Sequence, residues 1–156
     1  MRRHLAACLV LLSSAVLPHA ALSAEWATFA DARGTRVQYP RDIFSVPGPE
    51  GMPPGPVLQS PDGRRRLHIF TLDNERRASP SEFIRRAVAT EGEHLSYRRI
   101  AGRFFVFSDA RGDLILYRRC NFAGAAIHCL DVRYPRSEKR AFDPVVTRMS
   151  YSLSPR

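Results

Sequence analysis

The stretch YRRCNFAGAAIHCLD, residues 117–131, sets two cysteines on either side of a short Gly-Ala turn. A two-residue turn with Gly124 first suits the type II′ geometry of a tight β-hairpin. That register puts Ala123 opposite Ala126, Phe122 opposite Ile127, Asn121 opposite His128 and Cys120 opposite Cys129. Counting outward from the hydrogen-bonded closing pair, the cysteines fall on a non-hydrogen-bonded pair. Their Cα atoms should then stand about 4.5 Å apart, at the short end of the disulfide range of roughly 4.4–6.8 Å. A Cys120–Cys129 disulfide is therefore predicted. Closing so short a loop stabilises by only ~2 kcal/mol, so the bond pins register more than it creates the fold. A zinc site from Cys120, His128 and Cys129 is the sharper alternative, but His128 points to the opposite face from Cys129 and no fourth ligand is evident. A redox role lacks the Cys-x-x-Cys spacing.

The same hairpin fixes the architecture. Ile115, Tyr117, Leu130, Val132 and Tyr134 share one face, while Leu116, Cys120, Phe122, Ile127 and Cys129 share the other. Both faces are apolar, which implies a sheet covered on both sides. Upstream, LSYRRI (95–100), RFFVFS (103–108) and DLILYRRC (113–120) are separated by Ala101-Gly102 and by DARG, and read as an antiparallel meander. VLQSPDGRRRLHIFTL (57–72) reads as a further hairpin around SPDG, with a second strand apolar on both faces and so near the middle of the sheet. TRVQYP (35–40) is a strand ended by Pro40. Residues 43–56 hold five prolines and three glycines, too broken for a helix or an interior strand, and 47–56 is expected to form a long surface loop.

Two helices are predicted. In SPSEFIRRAVAT (79–90), Ser79 caps, Pro80 takes the first position and Glu82 completes a capping box. Phe83, Ile84, Ala87 and Val88 form its apolar face, with Arg85 and Arg86 turned outward. In FDPVVTRMSYSL (142–153), Asp143 is expected as the cap and Pro144 as the first residue, with Val145, Val146, Met149 and Leu153 inward. Ser154-Pro155-Arg156 is expected to fray. The fold class is thus α+β: an antiparallel sheet of about six strands with helices packed on it.

Residues 1–24 have the form of a secretory signal peptide: Arg2 and Arg3, an apolar run from Leu5 to Leu17, then small residues up to Ala24. Cleavage after Ser23 or Ala24 leaves residues 25–156 as a single domain in the periplasm or outside the cell. The apolar run is shorter than the roughly 20 residues of a membrane span, and no later stretch approaches that length, so no stable span is expected after cleavage. LAAC at 5–8 precedes the apolar run instead of closing it, which argues against lipidation. An exported chain with two cysteines also fits an oxidised pair.

The chain of 156 residues carries a formal net charge of +9, which becomes +7 without Arg2 and Arg3. Lys139 is the single lysine among 24 basic residues. Arg-Arg pairs are scattered along the chain, and Arg64, Arg65, Arg66, Arg85 and Arg86 are the candidates for a basic binding surface. Such a surface attracts anionic polymers, lipid headgroups or acidic partners, and it serves solubility alone equally well. Stacking aromatics and nucleic-acid motifs do not accompany the charge, so no nucleic-acid partner is expected.

No catalytic constellation is evident. His68 lies on a strand face shared with Phe70 and Leu72, and His94 follows an acidic loop beside Ser96. Adjacent residues on a strand point oppositely, and no Gly-x-Ser-x-Gly elbow, phosphate loop or His-Glu-x-x-His helix occurs. Neither catalytic nor metal-binding nor cofactor-binding residues are assigned, and no cofactor is expected.

With these elements in order, the chain resembles the PsbP-like α/β/α sandwich of small photosystem and bacterial secreted proteins. The resemblance spans roughly residues 35–153 and rests on RVQYPRDIFSV, the hairpin around SPDGRRRLHIF, the helix from SPSEF, the meander around FFVFSDARGDLILYRR, and RYPRSEKRAFDPVVTRMSYSL. It is closer still to a set of uncharacterised exported proteins of proteobacteria. The resemblance implies an accessory or binding module and carries over no catalytic or ligand-binding residue. The expected function is a non-catalytic, exported accessory domain presenting its basic surface and loop 47–56 to an envelope protein or an anionic ligand. An envelope hydrolase with a site assembled around His68, His94 and the meander loops is the alternative, and a binder of anionic polymer or lipid headgroups through the arginines is a third.

Overall fold

A computed structural model describes residues 24–51, 53–91 and 96–155. Its strands are β1 (Trp26–Ala30), β2 (Thr35–Pro40), β3 (Val46–Pro47), β4 (Val57–Gln59), β5 (Arg66–Asp73), β6 (Tyr97–Ala101), β7 (Phe104–Arg111), β8 (Leu114–Ala123), β9 (Ala126–Pro135) and β10 (Ser154–Pro155). Helix α1 (Pro80–Glu91) separates β5 from β6, and α2 (Lys139–Ser152) precedes β10. The main sheet has seven strands in the order β3-β4-β5-β9-β8-β7-β6, and a second sheet has the order β1-β2-β10. All pairings are antiparallel.

The α+β class and the two-sided cover follow the sequence. The expected six strands become seven, because Val46–Pro47 pairs with Val57–Gln59 at the sheet edge, where prolines are tolerated. The tail does not fray at Ser154–Pro155: those residues pair with Thr35 and Arg36 of β2.

The β8–β9 hairpin has the predicted register, from Ala123↔Ala126 to Cys120↔Cys129. Gly124 has φ of 59° while Ala125 does not enter the left-handed region, as a type II′ turn requires. Cys120 and Cys129 form a disulfide with Cα atoms 4.1 Å apart.

One face of the main sheet packs Leu67, Ile69, Ile115, Leu130, Val132 and Tyr134 against Val37, Phe44 and the α2 residues Phe142, Val146 and Met149. The other face packs Phe70, Phe105, Cys120, Ile127 and Cys129 against Ile84 of α1, with Phe83 stacked on Phe105 at 5.9 Å. The capping box forms as predicted: Glu82 N–H donates to Ser79 Oγ at 3.3 Å, and Ser79 N–H donates to Glu82 Oε2 at 2.7 Å.

Helix α2 departs from expectation. It starts at Lys139 after a 3-10 turn at Arg136–Glu138, so Pro144 lies inside the helix and Asp143 is not its cap. Asp143 instead accepts from Tyr134 Oη at 3.1 Å and pairs with Lys139. Burial of Phe142 between Phe44 and Tyr134 extends the helix upstream. That packing outweighs the one backbone donor that Pro144 lacks, close to an end where donors are unpartnered anyway.

Candidate functional site

Helix α1 covers only part of its face of the main sheet. Beyond it lies a cleft of about 390 Å³ whose floor is β5, β9, β8 and β7 and whose rim is the loop residues Pro49, Glu50 and Gly51. Strand alternation brings charged side chains to this floor: Arg66 and His68 from β5, Asp131 and Arg133 from β9, Arg118 from β8, Asp109 and Arg111 from β7. The register aligns them in rows, with Arg66 opposite Arg133 and His68 opposite Asp131, which is in turn opposite Arg118.

Most acids in the cleft are already engaged. Arg118 grips both carboxylate oxygens of Asp131 through Nε and Nη2. Its guanidinium also lies 5.5 Å from the centre of the Phe70 ring and 5.3 Å from that of Phe107. Asp109 accepts from Arg111 Nε at 3.0 Å and from Ser96 Oγ at 3.3 Å, and these bonds hold its carboxyl below the usual range. Arg66 and Arg133 are different: among the described residues no carboxylate lies within ion-pair distance of either, and Arg66 Nε is buried without a hydrogen-bond partner.

His68 is 9% exposed and its ring stacks on Phe70 at 4.6 Å. Its Nε2 is buried without a hydrogen bond, close under Gly51. A Cβ at residue 51 would stand 2.5 Å from that nitrogen, so only glycine lets the loop lie so near. Burial lowers the His68 pKa, and Arg118 adds to this, against the opposing pull of Asp131 and the Pro53 carbonyl.

The residues singled out from the sequence are dispersed. Arg65 Nε donates to Glu138 at 2.7 Å and Arg64 lies 3.6 Å from the same carboxylate. Arg66 alone of that triplet enters the cleft. Arg85 and Arg86 are exposed on α1. His94 lies outside the described residues. His128 is buried away from the cleft, accepting or donating at Nδ1 to Thr35 Oγ1 at 2.9 Å. Loop 47–56 does border the site, through Pro49, Glu50 and Gly51. Arg118, Asp131 and Arg133 were not anticipated. Their signal was present in the hairpin, since Arg118, Asp131 and Arg133 interrupt an otherwise apolar face shared with Cys120 and Cys129.

Chemically, the cleft offers cations and one neutral imidazole. No serine, threonine or cysteine side chain is among its lining residues, and the carboxylate facing His68 is bound at both oxygens by Arg118. Among the described residues no group of three or more His, Cys, Asp or Glu is placed to hold a metal ion, and no helix is long and apolar enough to cross a membrane.

No family model matches the chain, and no curated protein sequence matches it. Among solved structures it is similar to the solution structure of the cyanobacterial PsbP protein, CyanoP, of Synechocystis sp. PCC 6803, at 10% identity. That superposition covers 85% of this chain and 94% of the other with a TM-score of 0.64, and it shows that the chain has a PsbP-like α+β fold.

Proposed function

We propose that the chain is a non-catalytic, exported accessory domain that binds its partner through the cleft beside loop 47–56. The carrying observation is a recess lined by four arginines, two of them without a carboxylate partner among the described residues, and with no serine, threonine or cysteine among its described lining residues. Export is supported by the leader-like residues 1–24 and by a disulfide, which persists in oxidising compartments. On this reading the chain resembles exported proteobacterial proteins, and the process served is an envelope one.

The test is an affinity capture from the organism's own envelope extract with oxidised protein, read by mass spectrometry at low and high salt. One partner retained at high salt, and lost when Gly51→Val fills the rim over His68, is the expected result. The hydrolase alternative draws on His68 facing Asp131. Turnover of substrates from a hydrolase panel, abolished by His68→Gln, would replace the binding reading with that one.

A further inference from the structure

We infer that Arg66 and Arg133 form a seat for a phosphoryl group, so that the cleft takes a small organic phosphate or the phosphate headgroup of a lipid. This rests on the cleft being the binding site, and it adds the chemistry of the occupant.

The register supplies the first reason. Arg66 and Arg133 are directly opposite on β5 and β9 and line the same recess. Like charges facing each other across a strand pair repel, which disfavours the folded state unless an anion lies between them. The surrounding acids offer no relief: Asp131 is held by Arg118, Asp109 by Arg111, and Glu138 by Arg64 and Arg65. Glu50 on the rim is the remaining acid of the lining, and no ion pair between it and either arginine occurs among the described residues.

Burial supplies the second. Arg66 Nε is a charged donor shut away from solvent with no acceptor among the described residues, and such a group costs folding energy that a bound anion would recover. The next residue on the same strand face, His68, also turns a buried, unpartnered nitrogen to the cleft. Strand β5 thus carries two buried, unpartnered nitrogens into one recess.

Charge and shape select the ligand. With the two internal ion pairs cancelled, two guanidinium groups are left against the one rim carboxylate of Glu50, and two opposed arginine forks suit the several oxygens of a phosphate better than a single carboxylate, which one fork satisfies. The walls beside the seat include Val57, Leu116 and Phe107, suited to the carbon skeleton of an organic phosphate. A volume of about 390 Å³ accommodates a small molecule of this kind.

The experiment is calorimetric titration of the oxidised protein with glycerol 3-phosphate, run beside flotation with phosphatidylcholine vesicles with and without phosphatidic acid. Saturable binding of glycerol 3-phosphate is expected, weakened about tenfold or more by Arg133→Gln or by Arg66→Gln. Arg85→Gln removes the same charge from α1 and should leave affinity within about twofold. Arg133 is exposed, so its variant is the one expected to fold normally, with unchanged circular dichroism as the control. Vesicle recruitment that requires phosphatidic acid and falls with Arg133→Gln identifies a headgroup, and soluble binding alone identifies a free phosphate. No saturable binding in either arm below about 10 mM overturns the proposal. So does binding that Arg85→Gln weakens as much as Arg133→Gln. A protein partner captured equally well by Arg66→Gln and Arg133→Gln would sink the phosphate seat while leaving the accessory-domain reading intact.

Discussion

His128 shows how a residue can be legible in direction and illegible in role. Its position opposite Asn121 followed from the hairpin register, and with it the conclusion that it does not join the cysteines. Its partners did not follow: Thr35 Oγ1 lies 93 residues away in sequence, and in turn bonds Thr71 Oγ1 at 2.6 Å. Only the packing of the small sheet onto the main one brings these groups together. Burial lowers the His128 pKa, reinforced by Arg33 and opposed by Asp31, and burial likewise lowers that of His68. The unfolded chain therefore takes up protons more readily than the folded one on the acid side of about 6.5. Their contribution to stability is complete above that pH and is lost as pH falls through the lowered folded-state values. Thermal melts should show the midpoint dropping between about pH 7 and pH 5. The double variant His68→Gln/His128→Asn should flatten that dependence. A wild-type midpoint constant over this range would refute the assignment.

At the scale of elements, what could be read was what repeats or what is capped. The capping box at Ser79, the Gly124 turn and the alternation along β5, β8 and β9 are local signals, and each element forms where they place it. What could not be read depends on a distant partner. β10 exists because β2 offers it an edge, and α2 begins at Lys139 because Phe142 finds a site between Phe44 and Tyr134. The candidate site fell between these cases: His68, Arg66 and the rim loop were singled out, but a cleft exists only because α1 stops short of covering the whole sheet. The disulfide belongs to the local class, since the hairpin register already opposes its cysteines. Replacing both by serine should cost about 2 kcal/mol in urea denaturation and leave the circular dichroism spectrum unchanged. Loss of the folded spectrum would mean that the bond creates the hairpin instead of fastening it.

Over the whole molecule, a positive excess of this size raises the question of whether binding is local or merely electrostatic. Part of the arginine is internally compensated: Arg33 pairs with Asp73, Arg41 with Glu25, Arg118 with Asp131, and Glu138 serves Arg64 and Arg65 together. Glu138 is half-buried and pairs with both Arg64 and Arg65, the latter also overlying the Phe142 ring at 6.0 Å, so it tethers two charges. Glu138→Gln should release them. On a heparin column the variant should elute at higher salt than wild type, by a margin that shrinks as the eluting salt rises toward about 1 M, where the Debye length is only about 3 Å. Glycerol 3-phosphate affinity should not move, because Glu138 does not line the cleft. If both retention and phosphate affinity rose together, the cleft would be one part of a general polyanion surface. If retention alone rose, the molecule carries a diffuse field that attracts anions and a separate seat that selects among them.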